Sequence, residues 1–257
     1  MNHTQTVLIT GGAQGIGLGI AQCFARKNYR VAIVDMNAQA AENSAQSLKA
    51  DGAPNAIGIG CDITQRSQVE SAVNRVLDSF GRIDVLVNNA GISPFVDVME
   101  LSPELFDKVM NVNLTGGFGC AQLVGRHMIE RHQNGDSGGR IIWISSLAPK
   151  FSQASQAEYS ASKAGVEGLM RGFATRLGRE GITCNAIAPG MILTPLTESH
   201  WSQPGPAEQI KQLVPVGRIG QPHDIGNAAV FLASPEAAYI NGHVLTVDGG
   251  FSVLIKG

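Results

Sequence analysis

The chain alternates between short apolar runs and longer amphipathic stretches from its first residues to its last. Thr6–Thr10 has the length and composition of a strand buried on both faces. Glycines follow at Gly11, Gly12, Gly15, Gly17 and Gly19, and Ile20–Arg26 then reads as a helix. Arg30–Asp35 predicts a second strand ending in a carboxylate, Ala38–Lys49 a helix, and Asn55–Cys61 a third strand closed by Asp62. In Val69–Phe80 the apolar residues Val69, Val73, Val76 and Leu77 recur at helical spacing. Asp84–Val87 predicts a fourth strand that runs into Asn88-Asn89-Ala90-Gly91. Ser102-Pro103 marks a helix start, with proline at the first helical position, and the pattern carries that helix to His132. Beyond the polar loop Gln133–Gly139 come a strand at Arg140–Ile144, a helix at Glu158–Arg179 and a strand at Ile182–Ala188. Pro189–Pro215 is irregular and rich in proline; Pro222–Leu232 then predicts a helix and His243–Val247 a last strand. Seven strands alternating with helices predict one α/β domain over 1–257, doubly wound around a parallel sheet.

Composition narrows the class. Of 257 residues, 44% are hydrophobic, 16% are charged and 31 are glycine, the balance of a packed α/β enzyme. A net charge of -2 without a basic run argues against a nucleic-acid partner. No apolar run reaches the roughly 18 residues that span a bilayer, and Met1–Gln5 is short and polar for a signal peptide, so no membrane association and a cytoplasmic location are expected. Cys23, Cys61, Cys120 and Cys184 lack C-x-x-C spacing and read as reduced core thiols. His3, His127, His132, His200, His223 and His243 form no ligand cluster, so no metal is expected; His127 and His132, five apart on one helix, are expected at the surface.

Two stretches carry candidate chemistry. The first strand–turn–helix has the layout that binds a dinucleotide pyrophosphate on backbone N–H groups and a positive helix end. Its spacing, Gly11-x-x-x-Gly15-x-Gly17, is neither G-x-G-x-x-G nor a Walker loop, and a plain tight turn is the alternative. Asp35 is placed to accept hydrogen bonds from an adenosine ribose diol and to repel a 2′-phosphate, favouring NAD over NADP; the alternative is a solvated strand-end Asp. Asp62 follows the third strand in the same way and could meet the adenine edge. The second stretch is Tyr159-Ser160-Ala161-Ser162-Lys163, which sets a phenol and an ammonium on one helix face. A phenol titrates near ~10, about 3 units above neutrality, a gap of roughly 4 kcal/mol. One cation at ~4 Å in a surface-like dielectric is worth about that much. Lys163 could therefore make Tyr159 a general acid/base; the alternative is a half-buried Tyr beside a solvated Lys.

Taken together, Thr10-Gly11-Gly12-Ala13-Gln14-Gly15-Ile16-Gly17, Asn88-Asn89-Ala90-Gly91, Asn113, Ser146, Tyr159-x-x-x-Lys163 and Pro189-Gly190 resemble the short-chain dehydrogenase/reductase family, in order and spacing, from residue 6 to about 250. The resemblance implies a Rossmann fold, a nicotinamide cofactor and a catalytic group of Asn113, Ser146, Tyr159 and Lys163. In it Ser146, rather than the competing Ser145, binds the substrate oxygen, Tyr159 moves the hydroxyl proton, and Lys163 lowers its pKa and holds the nicotinamide ribose. Asn113 either anchors a water between Lys163 and solvent or kinks a core helix. The implied cofactor site takes Gly11, Gln14, Gly15, Ile16 and Gly17 from the loop, Asp35 and Met36 from the second strand end, and Asp62 and Ile63 from the third. Asn88, Asn89, Ala90 and Gly91 line it, together with Tyr159, Lys163, Pro189 and Gly190, and Ile192 and Thr194 meet the carboxamide. Where many members have a glycine shortly after the catalytic serine, this chain has Leu147-Ala148-Pro149-Lys150-Phe151, which weakens any close substrate analogy.

The expected reaction is hydride transfer between NAD(H) and a secondary alcohol/ketone pair of polyol, sugar or hydroxy-acid type. A 3-oxoacyl-thioester reductase using NADPH is the alternative within enzymes, and Asp35 argues against it. A dinucleotide-sensing regulatory protein is the alternative outside them; retention of both Tyr159 and Lys163 argues against that. The 191–215 segment is expected either to be a lid, with Glu198, His200, Trp201 and Gln203 near the substrate, or to pack rigidly on a neighbouring subunit. The resemblance also implies a homotetramer assembled through the helices near 105–132 and 158–180.

Overall fold

Seven parallel strands form one sheet in the computed structural model, which describes residues 4–254 apart from 137, 196 and 198–210. They are β1 (Thr6–Thr10), β2 (Arg30–Asp35), β3 (Ala56–Gly60), β4 (Val85–Asn88), β5 (Arg140–Ile144), β6 (Thr183–Pro189) and β7 (Val244–Val247). Their spatial order is β3-β2-β1-β4-β5-β6-β7, so the winding reverses between β1 and β4. At such a switch point the connections leave on opposite faces and open a crevice above the carboxyl ends of the strands. This is the doubly wound arrangement that the alternation predicts.

Helices cover both faces: α1 (Gly15–Arg26), α2 (Ala38–Ala50), α3 (Arg66–Phe80), α4 (Pro103–Met110), α5 (Gly117–Gln133), α6 (Ala157–Leu177) and α7 (Pro222–Ala233). Strand pleat divides the core between them. Leu8, Leu86 and Trp143 meet Val124 and Met128 of α5 and Met170 of α6 on one face. Val7, Ile9 and Ile33 meet Ile20 and Phe24 of α1 and Ile225 and Leu232 of α7 on the other. Full burial of one such large side chain contributes about 1.5–3 kcal/mol.

The structure corrects several boundaries. Helix α1 begins at Gly15 and α3 at Arg66, each ahead of the apolar pattern, because α1 opens on glycines and the first three residues of α3 are exposed, so neither start leaves a periodic apolar trace. The helix expected from Ser102 to His132 is interrupted by a π-helical turn at Asn111–Gly116. Asn113, inside that turn, grips the Ile92 backbone with its side chain: Oδ1 accepts from the Ile92 N–H at 2.8 Å and Nδ2 donates to its carbonyl at 2.9 Å. A tether of this kind is a recognised cause of a local break in the helical ladder. Helix α6 stops at Leu177 and tightens into a 3₁₀ turn over Gly178–Glu180.

At the amino ends of the strands, Asp84 collects charge. Its carboxylate accepts from the Thr6 N–H at 2.8 Å, from Arg82 Nη2 at 2.6 Å and from Arg131 Nη2 at 2.9 Å. Arg131 also donates to the Ile83 carbonyl and to Asp136. The network ties β1 and β4 to the end of α5. His127, expected at the surface, is instead half-buried beside it and accepts the Ile83 N–H at 3.3 Å; burial first, and then Arg131, lowers its pKa. The four cysteines are buried and unpaired, and burial pushes Cys61 up to about 11 and Cys120 and Cys184 up to about 12. Among the described residues no helix is long and apolar enough to cross a membrane, and no group of three or more His, Cys, Asp or Glu is placed to hold a metal ion.

Candidate active site

The crevice is walled by the turn after β1 and the turn after β4, and Asn89 locks the two together. Its side-chain amide donates to the carbonyls of Thr10 at 3.0 Å and Gly11 at 2.9 Å. Thr10 Oγ1 in turn accepts the N–H groups of Asn89 and Ala90, both at 3.1 Å. At Gly17 a Cβ would stand 2.2 Å from the Gly11 carbonyl oxygen and 2.6 Å from Asn89 Nδ2, so no side chain fits there. Helix α1 begins directly beyond this turn, and Gln14 at its cap makes no side-chain hydrogen bond to its first N–H groups. By contrast Asn37 caps α2 and Ser102 caps α4. A pyrophosphate fits an uncapped helix end approached over glycine.

Asp35 sits at the tip of β2, where one carboxylate oxygen accepts from the Ala13 N–H of the glycine turn and the other from the Asn37 N–H, each at 3.1 Å. Met36 beside it is 72% exposed. Asp62 spends Oδ1 on the N–H and hydroxyl of Thr64, and Ile63 is buried against Gly116. A Cβ at Gly15 would stand 3.6 Å from the Thr194 Cβ, which places Thr194 beside the glycine turn. Gly190 is tied to the Val247 carbonyl at 3.0 Å. Two expected lining residues turn away. Asn88 points its amide at the Gly117 carbonyl, and the side chain of Ile192 is packed into the core, so only its backbone faces outward.

The second wall carries the phenol. Ser145 and Ser146, at the end of β5, point in opposite directions, as pleat requires. Ser145 is buried and donates to Glu167 Oε1 at 2.9 Å, whereas Ser146 Oγ accepts the Ala148 N–H at 3.1 Å and stands close enough to the Tyr159 phenol to lower its pKa. Of the two serines, Ser146 is the one beside the phenol. Lys163, one turn on from Tyr159, is 4% exposed; its Nζ lies 5.6 Å from the Tyr159 ring centroid and donates to the Ile144 carbonyl at 2.8 Å. A Cβ at Gly91 would lie 3.1 Å from Asn113 Oδ1 and 3.5 Å from Lys163 Nζ, so the bare backbone there lets both groups approach the turn. Asn113 Nδ2 also donates to Ser162 Oγ at 3.0 Å, and Ser162 donates to the Tyr159 carbonyl at 2.7 Å. Ser162 and Thr10 therefore shape the site, although the sequence pattern assigned them no part; a hydroxyl beside Lys163 and one before a glycine turn were the available signals. Glu198, His200, Trp201 and Gln203 lie outside the described residues, as does most of the 191–215 segment.

A family profile described as Enoyl-(Acyl carrier protein) reductase matches residues 11–252. The D-threitol dehydrogenase of Mycolicibacterium smegmatis is 39% identical over 249 residues, covering 97% of this chain and 93% of that protein. The L-rhamnose-1-dehydrogenase of Scheffersomyces stipitis is 37% identical over 255 residues, covering 98% and 97%. The crystal structure of a 3-ketoacyl-(acyl-carrier-protein) reductase from Brucella melitensis complexed with NADH superposes with a TM-score of 0.88 at 32% identity, covering 97% of this chain and 99% of that one. The chain belongs to the short-chain dehydrogenase/reductase family. It is an oxidoreductase of that family.

For a short-chain dehydrogenase/reductase the electrostatics of the Tyr–Lys pair are informative. Burial raises the Tyr159 pKa, and the Ser146 hydrogen bond lowers it by less. Burial pushes Lys163 down to about 8. The protein groups alone therefore do not depress the phenol as the spacing suggested. The reason is that a tyrosinate would have to be formed out of water, while the Lys163 amine is engaged by a carbonyl rather than by the phenolic oxygen.

Proposed function

We propose that this enzyme is an NAD-linked dehydrogenase that interconverts a secondary alcohol of polyol or sugar type and its ketone. The observation that carries the reading is the Ser146–Tyr159–Lys163 constellation opening on a crevice whose far wall is an uncapped helix end and Asp35. The two dehydrogenases of threitol and rhamnose among its relatives support the substrate class. Asp35 supports NAD, because its carboxylate would repel a 2′-phosphate and no Lys or Arg stands in Gly11–Gly17 or Asp35–Ala38.

In this reading Gly11, Gln14, Gly15, Ile16 and Gly17 cradle the pyrophosphate, Asp35 and Met36 meet the adenosine ribose, and Asp62 and Ile63 border the adenine. Asn89, Ala90, Gly91, Pro189, Gly190, Ile192 and Thr194 line the nicotinamide half. A bound nicotinamide cofactor would supply the hydride chemistry, as acceptor in oxidation and donor in reduction. Ser146 holds the substrate oxygen. Tyr159 takes the hydroxyl proton or gives it back, and a phenol raised above its ordinary value favours giving, so reduction suits neutral pH and oxidation gains as pH rises. Lys163 supplies positive charge beside the developing phenolate, and Asn113 holds the Ile92 backbone so that the turn stays open beside Lys163.

The chain is read as one domain, and as a homotetramer through α5 and α6, on which Phe118 is 37% exposed. Four unpaired thiols fit a reducing, cytoplasmic setting. The test is a screen of purified protein against polyols, sugars, hydroxy acids and ketones with both nicotinamide cofactors, read by absorbance. NAD should exceed NADP in kcat/KM by roughly tenfold or more, and Asp35→Ala should narrow the gap. A wild type that prefers NADPH would move the thioester-reductase reading ahead.

A further inference from the structure

Helix α6 carries Tyr159, Lys163, Glu167 and Arg171 at four-residue intervals, so the four side chains stand in one stripe. The first three hold three consecutive residues where β5 ends. Tyr159 has Ser146 beside its phenol, Lys163 donates to the Ile144 carbonyl at 2.8 Å, and Glu167 Oε1 accepts the Ser145 hydroxyl at 2.9 Å. Two of these ties belong to the catalytic group. The third adjoins them and has no part in the mechanism above.

Glu167 has two partners of unequal worth. Its side chain is 12% exposed, whereas Arg171, whose Nη2 reaches Oε2 at 3.3 Å, is 55% exposed. An ion pair with so exposed a guanidinium contributes little. A hydroxyl given to a carboxylate makes one of the stronger hydrogen bonds, and here it comes from a serine that is 1% exposed, away from competing water. The inner bond is the firm one.

Ser146 needs such a hold. Ser145 makes the last rung of β5, its N–H donating to the Ile187 carbonyl at 2.7 Å, and no backbone–backbone hydrogen bond to Ser146 follows among the described residues. What Ser146 has of its own is local, the Ala148 N–H at 3.1 Å. The direction of its side chain is set by the peptide before it. That peptide is fixed by the ladder on one side and by the Ser145 side chain on Glu167 on the other.

We propose that Glu167 is a positioning residue for Ser146: through the Ser145 hydroxyl it holds the end of β5 so that Ser146 Oγ stays beside the Tyr159 phenol. It touches no reacting atom. The inference rests on the dehydrogenase reading above and adds to it the residue that sets the place of Ser146.

The experiment follows NAD-linked oxidation of four- to six-carbon polyols by the intact enzyme, and the polyol that wild type oxidises fastest is carried through. Glu167→Leu, which removes the acceptor, should lower kcat by about tenfold or more while KM for NAD stays within about twofold. Glu167→Gln, which keeps an acceptor for Ser145 and drops the charge paired with Arg171, should keep most of the rate. The pH at which oxidation reaches half its maximal rate should move up in Glu167→Leu, because the Ser146 bond that lowers the Tyr159 pKa is weakened. Ser146→Ala supplies the deciding background: there Glu167→Leu should cost less than about twofold, since no hydroxyl is left to place. A Glu167→Leu loss carried in full into Ser146→Ala, or one without the shift in pH profile, would make Glu167 a prop of the fold and overturn the proposal. Should Glu167→Leu fail to fold, Ser145→Ala takes its place and must show the same loss and shift; wild-type kinetics in Ser145→Ala overturn the proposal as well. Ser146→Ala at wild-type rate sinks the role of Ser146, and wild type inert toward every polyol sinks the dehydrogenase reading, in each case with this inference.

Discussion

Asp84 and Lys163 are almost equally hidden, at 4% exposure each, yet they occupy opposite ends of the sheet and are treated in opposite ways. Below the strands, Asp84 is met by two guanidinium groups and a backbone N–H. Above them, Lys163 donates to the neutral carbonyl of Ile144, and among the described residues no carboxylate answers its charge in the way Arg82 and Arg131 answer Asp84. The first arrangement repays the cost of desolvation with opposite charge. The second leaves the cost standing, and it surfaces as a pKa pushed down to about 8. Matched charge fixes the chain, while unmatched charge leaves an ammonium that gives up its proton more readily than a solvated lysine. The four residues of β4, roughly 13 Å of strand, keep the two regimes apart.

The sharpest way to test this division is at the unmatched end. Tyr159→Phe removes only the titrating oxygen, so turnover should fall by about 10²–10⁴-fold. Cofactor affinity, followed by fluorescence titration, should change little, and thermal unfolding should show no loss. Retention of more than about a tenth of wild-type turnover would take Tyr159 out of the acid/base role.

At the fixed end, Asp84→Ala removes the more buried of the two carboxylates that Arg82 and Arg131 share, leaving them Asp136 alone among the described carboxylates. Urea denaturation should show a loss of about 3–5 kcal/mol, whereas kcat measured well below the melting temperature should stay close to wild type. A variant as stable as wild type, or one that folds well but turns over poorly, would erase the contrast between the ends.

The third test reads the uncompensated charge directly. Lys163 binds its proton more weakly folded, at about 8, than unfolded, near ~10.4, so between those values the unfolded chain holds more protons. Stability therefore rises with pH across that window; the full cost, about 3 kcal/mol, is present below it and gone above it. Lys163→Met removes the titration. The unfolding free energy of wild type relative to this variant should climb by about 3 kcal/mol between pH 7.5 and 10.5. A difference that stays flat with pH would show that Lys163 is not buried at a cost.

The fold was legible because every strand but the half-buried edge strand β7 is an apolar run, and sheet order follows from alternation. Tyr159 and Lys163 were legible because helical spacing converts four residues into one face. What stayed hidden needed three dimensions. Which of Asn88 and Asn89 meets the crevice depends on where the pleat of β4 stops, and the structure turns Asn88 toward α5. Apart from Arg82, two residues before it, the partners of Asp84 come from 47 and 78 residues away, with nothing in the local pattern to announce them. The direction of the Tyr159 shift was misjudged because spacing reports the nearness of an ammonium and says nothing of lost water.

The π-helical turn at Asn111–Gly116 also governs what changes of length the chain can bear. Such a turn holds one residue more than the α-turn it replaces. Deleting one residue there would let the stretch close into regular helix and remove the widened turn from which Asn113 reaches Ile92. Asn113 would then lose Ile92, and with it the fixed backbone beside Lys163. The same deletion between Asp51 and Asn55, in a surface connection, would shorten a loop and nothing more. An aligned set of descendants of this sequence should therefore show gaps at the second place and none at the first.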